Sequence, residues 1–183
     1  PQFGASYVFF GGDFAHAVNF LGGSGDDTFT GTAVGQQFVG GGGNDSLIGY
    51  GGGDVFHGGA GDDRIQVADM AFQWVDGGSG VDTLALSGSG MDLNLATLRG
   101  RIQSIEQIDI TGSGMGGNVL ILGVQDLLDV AGMNLINSTT SGWSDGSFHF
   151  AANEARHQLV VAGVAGDAVL GSAGTWTDMG TVS

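Results

Sequence analysis

From Gly22 the chain repeats every nine residues: GGSGDDTFT (22–30), GTAVGQQFV (31–39), GGGGNDSLI (40–48), GYGGGDVFH (49–57), GGAGDDRIQ (58–66), VADMAFQWV (67–75) and, after one extra residue, Asp76, GGSGVDTLA (77–85). A fixed period constrains a fold more than any single motif does, because it demands stacked copies of one unit. The eighth position is apolar in every copy: Phe29, Phe38, Leu47, Phe56, Ile65, Trp74 and Leu84. Nine residues before Phe29 stands Phe20, which places the start of the pattern near Asp13. Each unit reads as a six-residue turn followed by a three-residue strand. The glycines admit the positive φ angles and close backbone approach of a tight turn. Strand alternation sends the eighth side chain inward and the seventh and ninth outward. Two units complete a coil of 18 residues, and the chain reads as an all-β solenoid.

The two turns of a coil differ. The turns 22–27, 40–45, 58–63 and 77–82 match Gly-Gly-x-Gly-x-Asp, whereas 13–18, 31–36, 49–54 and 67–72 end in Val18, Gln36, Asp54 and Phe72. Carboxylates therefore stack along one edge, as Asp27, Asp45, Asp63 and Asp82. The inward columns differ too, with Phe20, Phe38, Phe56 and Trp74 on one sheet facing Phe29, Leu47, Ile65 and Leu84 on the other. Aspartates on successive coils would sit roughly 4.8 Å apart, a spacing at which like charges repel strongly unless neutralised. Hard oxygen donors, with no sulfur and no clustered histidine, favour calcium over zinc or copper, and over magnesium with its strict octahedron. The four matched turns leave three gaps, hence about three ions on this edge. Glycine and aspartate are also ordinary turn residues, but four matches in one register set these apart.

These nonapeptides resemble the hemolysin-type calcium-binding repeats of repeats-in-toxin (RTX) proteins over 22–85. The resemblance implies a right-handed parallel β-roll (β-solenoid) of 18-residue coils, with calcium between successive turns and each aspartate shared by neighbouring ions. On this chain the implied ligand positions are Gly22, Ser24, Gly25 and Asp27; Gly40, Gly42, Gly43 and Asp45; Gly58, Ala60, Gly61 and Asp63; and Gly77, Ser79, Gly80 and Asp82. Asp54 is a candidate for one further ion, without matched neighbours at Gln36 and Phe72. The resemblance also implies export through a type I channel as an unfolded chain, and folding outside a Gram-negative cell in millimolar calcium.

The stretches SIEQIDITGSGMGGNVLIL (104–122), QDLLDV (125–130), HQLVVAGVAGDAVL (157–170) and WTDMG (176–180) resemble the segment that follows the repeats in large secreted RTX adhesins and related surface proteins. Val164 stands where that segment commonly has an acidic residue, which argues against calcium near Asp167, and 138–156 reads as an insertion. Leu93, Leu95, Ile105, Ile108, Ile110, Leu120 and Leu122 alternate as strand residues do. Residues 124–130 suit a short helix with Leu127, Leu128 and Val130 inward. Three parts are expected: an N-terminal cap with a degenerate first coil (1–21), the calcium-binding roll (22–85), and a calcium-poor β extension and cap (86–183), the whole reading as a piece of a longer protein. On the outward face of the aromatic sheet, Val39, Val55 and Val75 suggest a covered strip.

Composition narrows the partners. Lys plus Arg is 4 against 19 Asp plus Glu, for a formal net charge of −15. Such a chain repels phosphates, which disfavours nucleic acid and anionic lipid as partners and favours cations. No apolar run approaches the roughly 18 residues of a membrane span. Cysteine is absent, which rules out disulfides and thiol chemistry. No zinc helix or nucleophile elbow occurs. Glu154 with His157, and Asp126 with Asp129, read as solvated or capping pairs; His16, His57 and His149 lack second ligands, and Trp143 and Trp176 read as capping aromatics. The expected function is a non-enzymatic, calcium-binding module of a large secreted adhesin or cell-surface protein, whose further partners are other domains of that protein or cell-surface ligands. The alternative is the secretion and folding module of a hydrolase or toxin whose catalytic domain lies elsewhere.

Overall fold

The computed structural model describes residues 18–114, 116–134 and 156–171. The repeats fold as β1 (Phe20–Leu21), β2 (Thr28–Thr30), β3 (Gln37–Gly42), β4 (Ser46–Ile48), β5 (Val55–Ala60), β6 (Arg64–Val67), β7 (Trp74–Ser79) and β8 (Thr83–Leu86). The chain continues as β9 (Asp92–Asn94), a 3-10 turn (Leu95–Leu98), β10 (Ile102–Gln103), β11 (Gln107–Asp109), β12 (Val119–Leu122), the helix α1 (Val124–Val130), β13 (Met133–Asn134), β14 (Arg156–His157), β15 (Val160–Ala162) and β16 (Ala168–Gly171).

Odd and even repeat strands separate into two parallel sheets, ordered β1-β3-β5-β7-β10 and β15-β11-β8-β6-β4-β2. This is a parallel β-roll. The registers follow the period: Phe20 lies beside Phe38 and Phe38 beside Phe56, while Phe29, Leu47, Ile65 and Leu84 form the facing column. Phe20, Phe38 and Phe56 stack with ring centroids 4.7 and 4.8 Å apart, a spacing that matches the distance between neighbouring strands.

The aromatic column ends one coil earlier than its sequence suggests. Phe56 pairs with Val75, and Trp74 pairs with Val55 on the outward row. Val75, not Trp74, is fully buried, so the extra residue of this coil lies before Trp74 and is not Asp76. The physical reason is Phe72, which turns into the core at 1 % exposure beneath the Arg101 guanidinium, 4.9 Å above its ring. Filling the core from within the turn takes a longer turn. The residue equivalent to Gln36 and Asp54 is therefore Gln73, not Phe72. The outward valine strip shrinks accordingly to Val39 and Val55, both half-buried.

Both sheets run past residue 85 through β10, β11 and β15. Beyond β8 the coil gains a third side, the parallel sheet β9-β12-β16. Leu93, Leu95, Ile105, Ile108, Ile110, Leu120 and Leu122 are all buried, as their alternation predicts. Helix α1 packs against β10, at the end of the first sheet. Its buried face carries Asp126 and Val130, which are four residues apart and so share one side of a helix. Leu128 is consequently outward and 44 % exposed, against its expected inward position. Asp126 caps the helix by accepting the Gly123 N–H at 2.7 Å and pairs with Arg99 at 3.0 Å. Among the described residues no helix is long and apolar enough to cross a membrane. The expectations for 1–17, His16, Trp143, His149, Glu154 and Trp176 lie outside the described residues.

Candidate metal centre

The four matched turns stack along one edge of the roll and are tied together through their aspartates. The Asp27 N–H donates to Oδ1 of Asp45 at 2.7 Å, the Asp45 N–H to Oδ1 of Asp63 at 2.8 Å, and the Asp63 N–H to Oδ1 of Asp82 at 2.8 Å. Each carboxylate thus holds the preceding coil with one oxygen. The glycines at the second and fourth positions of the later turns, such as Gly59 (φ 121°) and Gly61 (φ 125°), adopt angles that disfavour any side chain.

The other carboxylate oxygen is the informative one. Oδ2 of Asp45, Asp63 and Asp82 is buried with no hydrogen-bond partner. Each aspartate is at most 2 % exposed. Each orphan oxygen points into the hollow beside the first glycine of its own turn. A Cβ on Gly40 would meet Asp45 Oδ2 and lie 2.5 Å from the Gly58 carbonyl oxygen; a Cβ on Gly58 would meet Asp63 Oδ2 and the Gly77 carbonyl oxygen. A hollow lined by a carboxylate oxygen and a carbonyl oxygen from the next coil suits a hard cation. In the first turn Asp27 is half-buried and its Oδ2 accepts the Gly23 N–H at 2.8 Å. Among the described residues no three His, Asp or Glu side chains converge on one point. A cation on this edge would therefore be held by few carboxylates, completed by main-chain carbonyls.

The electrostatics agree with that need. Burial, followed by repulsion from Asp63, Glu106 and Asp62, pushes the Asp82 carboxyl up to about 7. Burial also raises Asp63, with repulsion from Asp45 and Asp62 adding to it. Isolated buried carboxylates gain protons unless a positive charge replaces them.

The expected ligand positions fall into place unevenly. Gly40, Gly58 and Gly77 are buried in the row, and Gly22 is half-buried. Gly42, Gly43 and Gly61 are half-buried, while Ser24, Gly25, Ala60, Ser79 and Gly80 lie at the exposed rim. The Ala60 and Ser79 carbonyls already accept N–H bonds from Gly43 and Gly61 at 2.8 and 2.9 Å. On the opposite edge Asp54 accepts the Gln36 N–H at 2.9 Å, and burial, then Asp69, raises its pKa. Its neighbours in the row are the amides Gln36 and Gln73, so the carboxylate ladder is confined to one edge.

Two groups escaped the sequence reading. The fifth turn positions form a second ladder, in which Asp26, Asn44 and Asp62 accept the N–H groups of Asn44, Asp62 and Val81 at 2.7, 2.9 and 2.8 Å. Its signal was the Asp, Asn, Asp recurrence just before each aspartate. Glu106, 4 % exposed, also joins the main row, accepting the Asp82 N–H at 3.0 Å. Of the histidines, His57 is outward as expected and faces Asp76 at 3.7 Å, and His157 Nδ1 lies 2.7 Å from the Ala131 carbonyl.

The fold and this edge define a parallel β-roll whose turns are built to take hard cations. Residues 19–33 and 36–65 match the family model of the RTX calcium-binding nonapeptide repeat, in four copies. Calcium is the ion they are expected to take. No curated protein and no solved structure matches the chain.

Proposed function

We propose that this chain is a calcium-folded structural module of a large secreted RTX protein, an adhesin or cell-surface protein. In this reading it leaves a Gram-negative cell unfolded through a type I channel, folds on extracellular calcium and has no catalytic role. The observation that carries it is the row of orphaned, buried oxygens on Asp45, Asp63 and Asp82. Calcium supplies the positive charge those oxygens need. Extracellular calcium modules bind at about 10⁻⁴–10⁻³ M, a range that leaves such a chain unfolded in a cytosol and folded outside. The resemblance of 104–180 to the post-repeat segment of adhesins favours that parent over a secreted hydrolase or toxin.

A calcium titration of residues 1–183 by circular dichroism tests the coupling. The β-signal should rise with calcium and collapse on chelation. A signal already complete in excess chelator contradicts it.

A further inference from the structure

The row of hollows outlasts the last repeat turn. Gln103 pairs with Asp76 and Gln107 with Thr83, so residues 104–106 stand where the preceding coil has 77–82. Ser104 takes the place of a first glycine, and Glu106 that of the aspartate. Ser104 is the non-glycine residue with positive φ, 54°, among the described residues, a strained conformation that persists only where the surroundings impose it. Here a turn shortened by half imposes it.

The Ser104 carbonyl oxygen borders the hollow at Gly77, as the Gly58 and Gly77 carbonyls border those at Gly40 and Gly58. Oδ2 of Asp82 enters the same hollow, 2.6 Å from where a Cβ on Gly77 would sit. That oxygen has no partner, and Asp82 is 0 % exposed. Glu106 accepts the Asp82 N–H through Oε2 at 3.0 Å and the Gly132 N–H through Oε1 at 3.2 Å. Its charge therefore stands beside Asp82 without satisfying Asp82 Oδ2. Neither carboxylate has an ion-pair partner among the described residues.

We propose that Asp82 Oδ2 and the Ser104 carbonyl form a further calcium site at the junction of the repeats and the cap, with Glu106 supplying the second negative charge. The site rests on the calcium reading of the repeats and joins Asp82 of the last repeat turn to Ser104 and Glu106, which lie beyond the motif. Through the Glu106–Gly132 bond, the ion couples the end of the repeat row to the chain leaving α1.

Crystals of the whole chain grown in calcium, measured where calcium scatters anomalously, should show density between Asp82 Oδ2 and the Ser104 oxygen. Ions between repeat turns with none at Ser104 overturn the junction site alone; no ion on this edge overturns the calcium reading as well. Asp82→Asn gives a second measurement. The amide keeps an oxygen for the Asp63 N–H and places an NH2 in the hollow, as Asn118 does between the Gly88 and Ile110 carbonyls. Native mass spectrometry at saturating calcium should count one ion fewer in D82N than in the unaltered chain. An unchanged count overturns the proposal.

Discussion

An aspartate closes each step of the repeat row, while an asparagine closes the corresponding step before β12. The two build the same ladder: the Met91 N–H donates to Asn118 Oδ1 at 2.8 Å, and the Asn118 N–H to Asp167 Oδ1 at 2.8 Å. They differ in the second atom. In Asp45, Asp63 and Asp82 it is an orphaned oxygen. In Asn118 it is a nitrogen that donates to the Ile110 and Gly88 carbonyls at 2.9 and 3.1 Å. Asp167 is closed as well, its Oδ2 accepting the Val164 N–H at 2.7 Å. One row is complete in protein atoms alone and the other is not. In this row of the cap an amide nitrogen stands where the repeat turns present an orphaned oxygen.

The largest expected effect follows from removing the cation. In chelator, amide exchange should become fast across β2–β8 and stay slow across β9–β12; equal loss in both halves would erase the distinction. Asp45→Ala should act in the same direction, raising the calcium midpoint about tenfold. It removes a proposed ligand and also leaves the half-buried Asp27 N–H unpaired, at a cost of about 1–3 kcal/mol. Asp27→Ala should do less, because Asp27 Oδ2 already takes the Gly23 N–H.

Asn118→Ala strips partners from the Met91 N–H and two carbonyls. Thermal unfolding should show a loss of about 2–4 kcal/mol, the same with and without calcium. Asn118→Asp should convert the step to the repeat type, so that its stability rises with added calcium. A calcium-insensitive N118D would break the comparison.

Acidity offers a milder probe. In the metal-free fold burial pushes the Asp82 carboxyl up to about 7, well above its ordinary value, so the folded state binds protons more tightly. The favourable contribution is full below the unfolded value and is lost as pH rises through the folded one. The chelated chain should therefore regain β-signal as pH falls from about 7 toward about 4, read by circular dichroism. The smallest effect belongs to Arg64, which reaches over β8 to Asp109 at 2.6 Å and links repeats to cap. With its side chain 47 % exposed, Arg64→Ala should cost about 0.5 kcal/mol or less in a denaturant titration.

The period, the turn glycines, the inward columns and the carboxylate edge were legible in the sequence because each is local and repeats at a fixed step. Phe38 stacks on Phe56 and Asp45 follows Asp27 wherever coil lengths are equal, and counting alone finds them. Counting fails where a coil changes length. Only the packed structure placed Val75 inward and Trp74 outward, because Phe72 filled the core from the turn and moved the extra residue ahead of the strand. Only the structure put Glu106 in line with Asp82, since the turn before it shrank and the strand register, not the spacing, set the pair. Asn118 shows the same division: its residue type was visible, but the two carbonyls that make its amide a substitute for a cation come from positions 8 and 30 residues away, joined by tertiary packing.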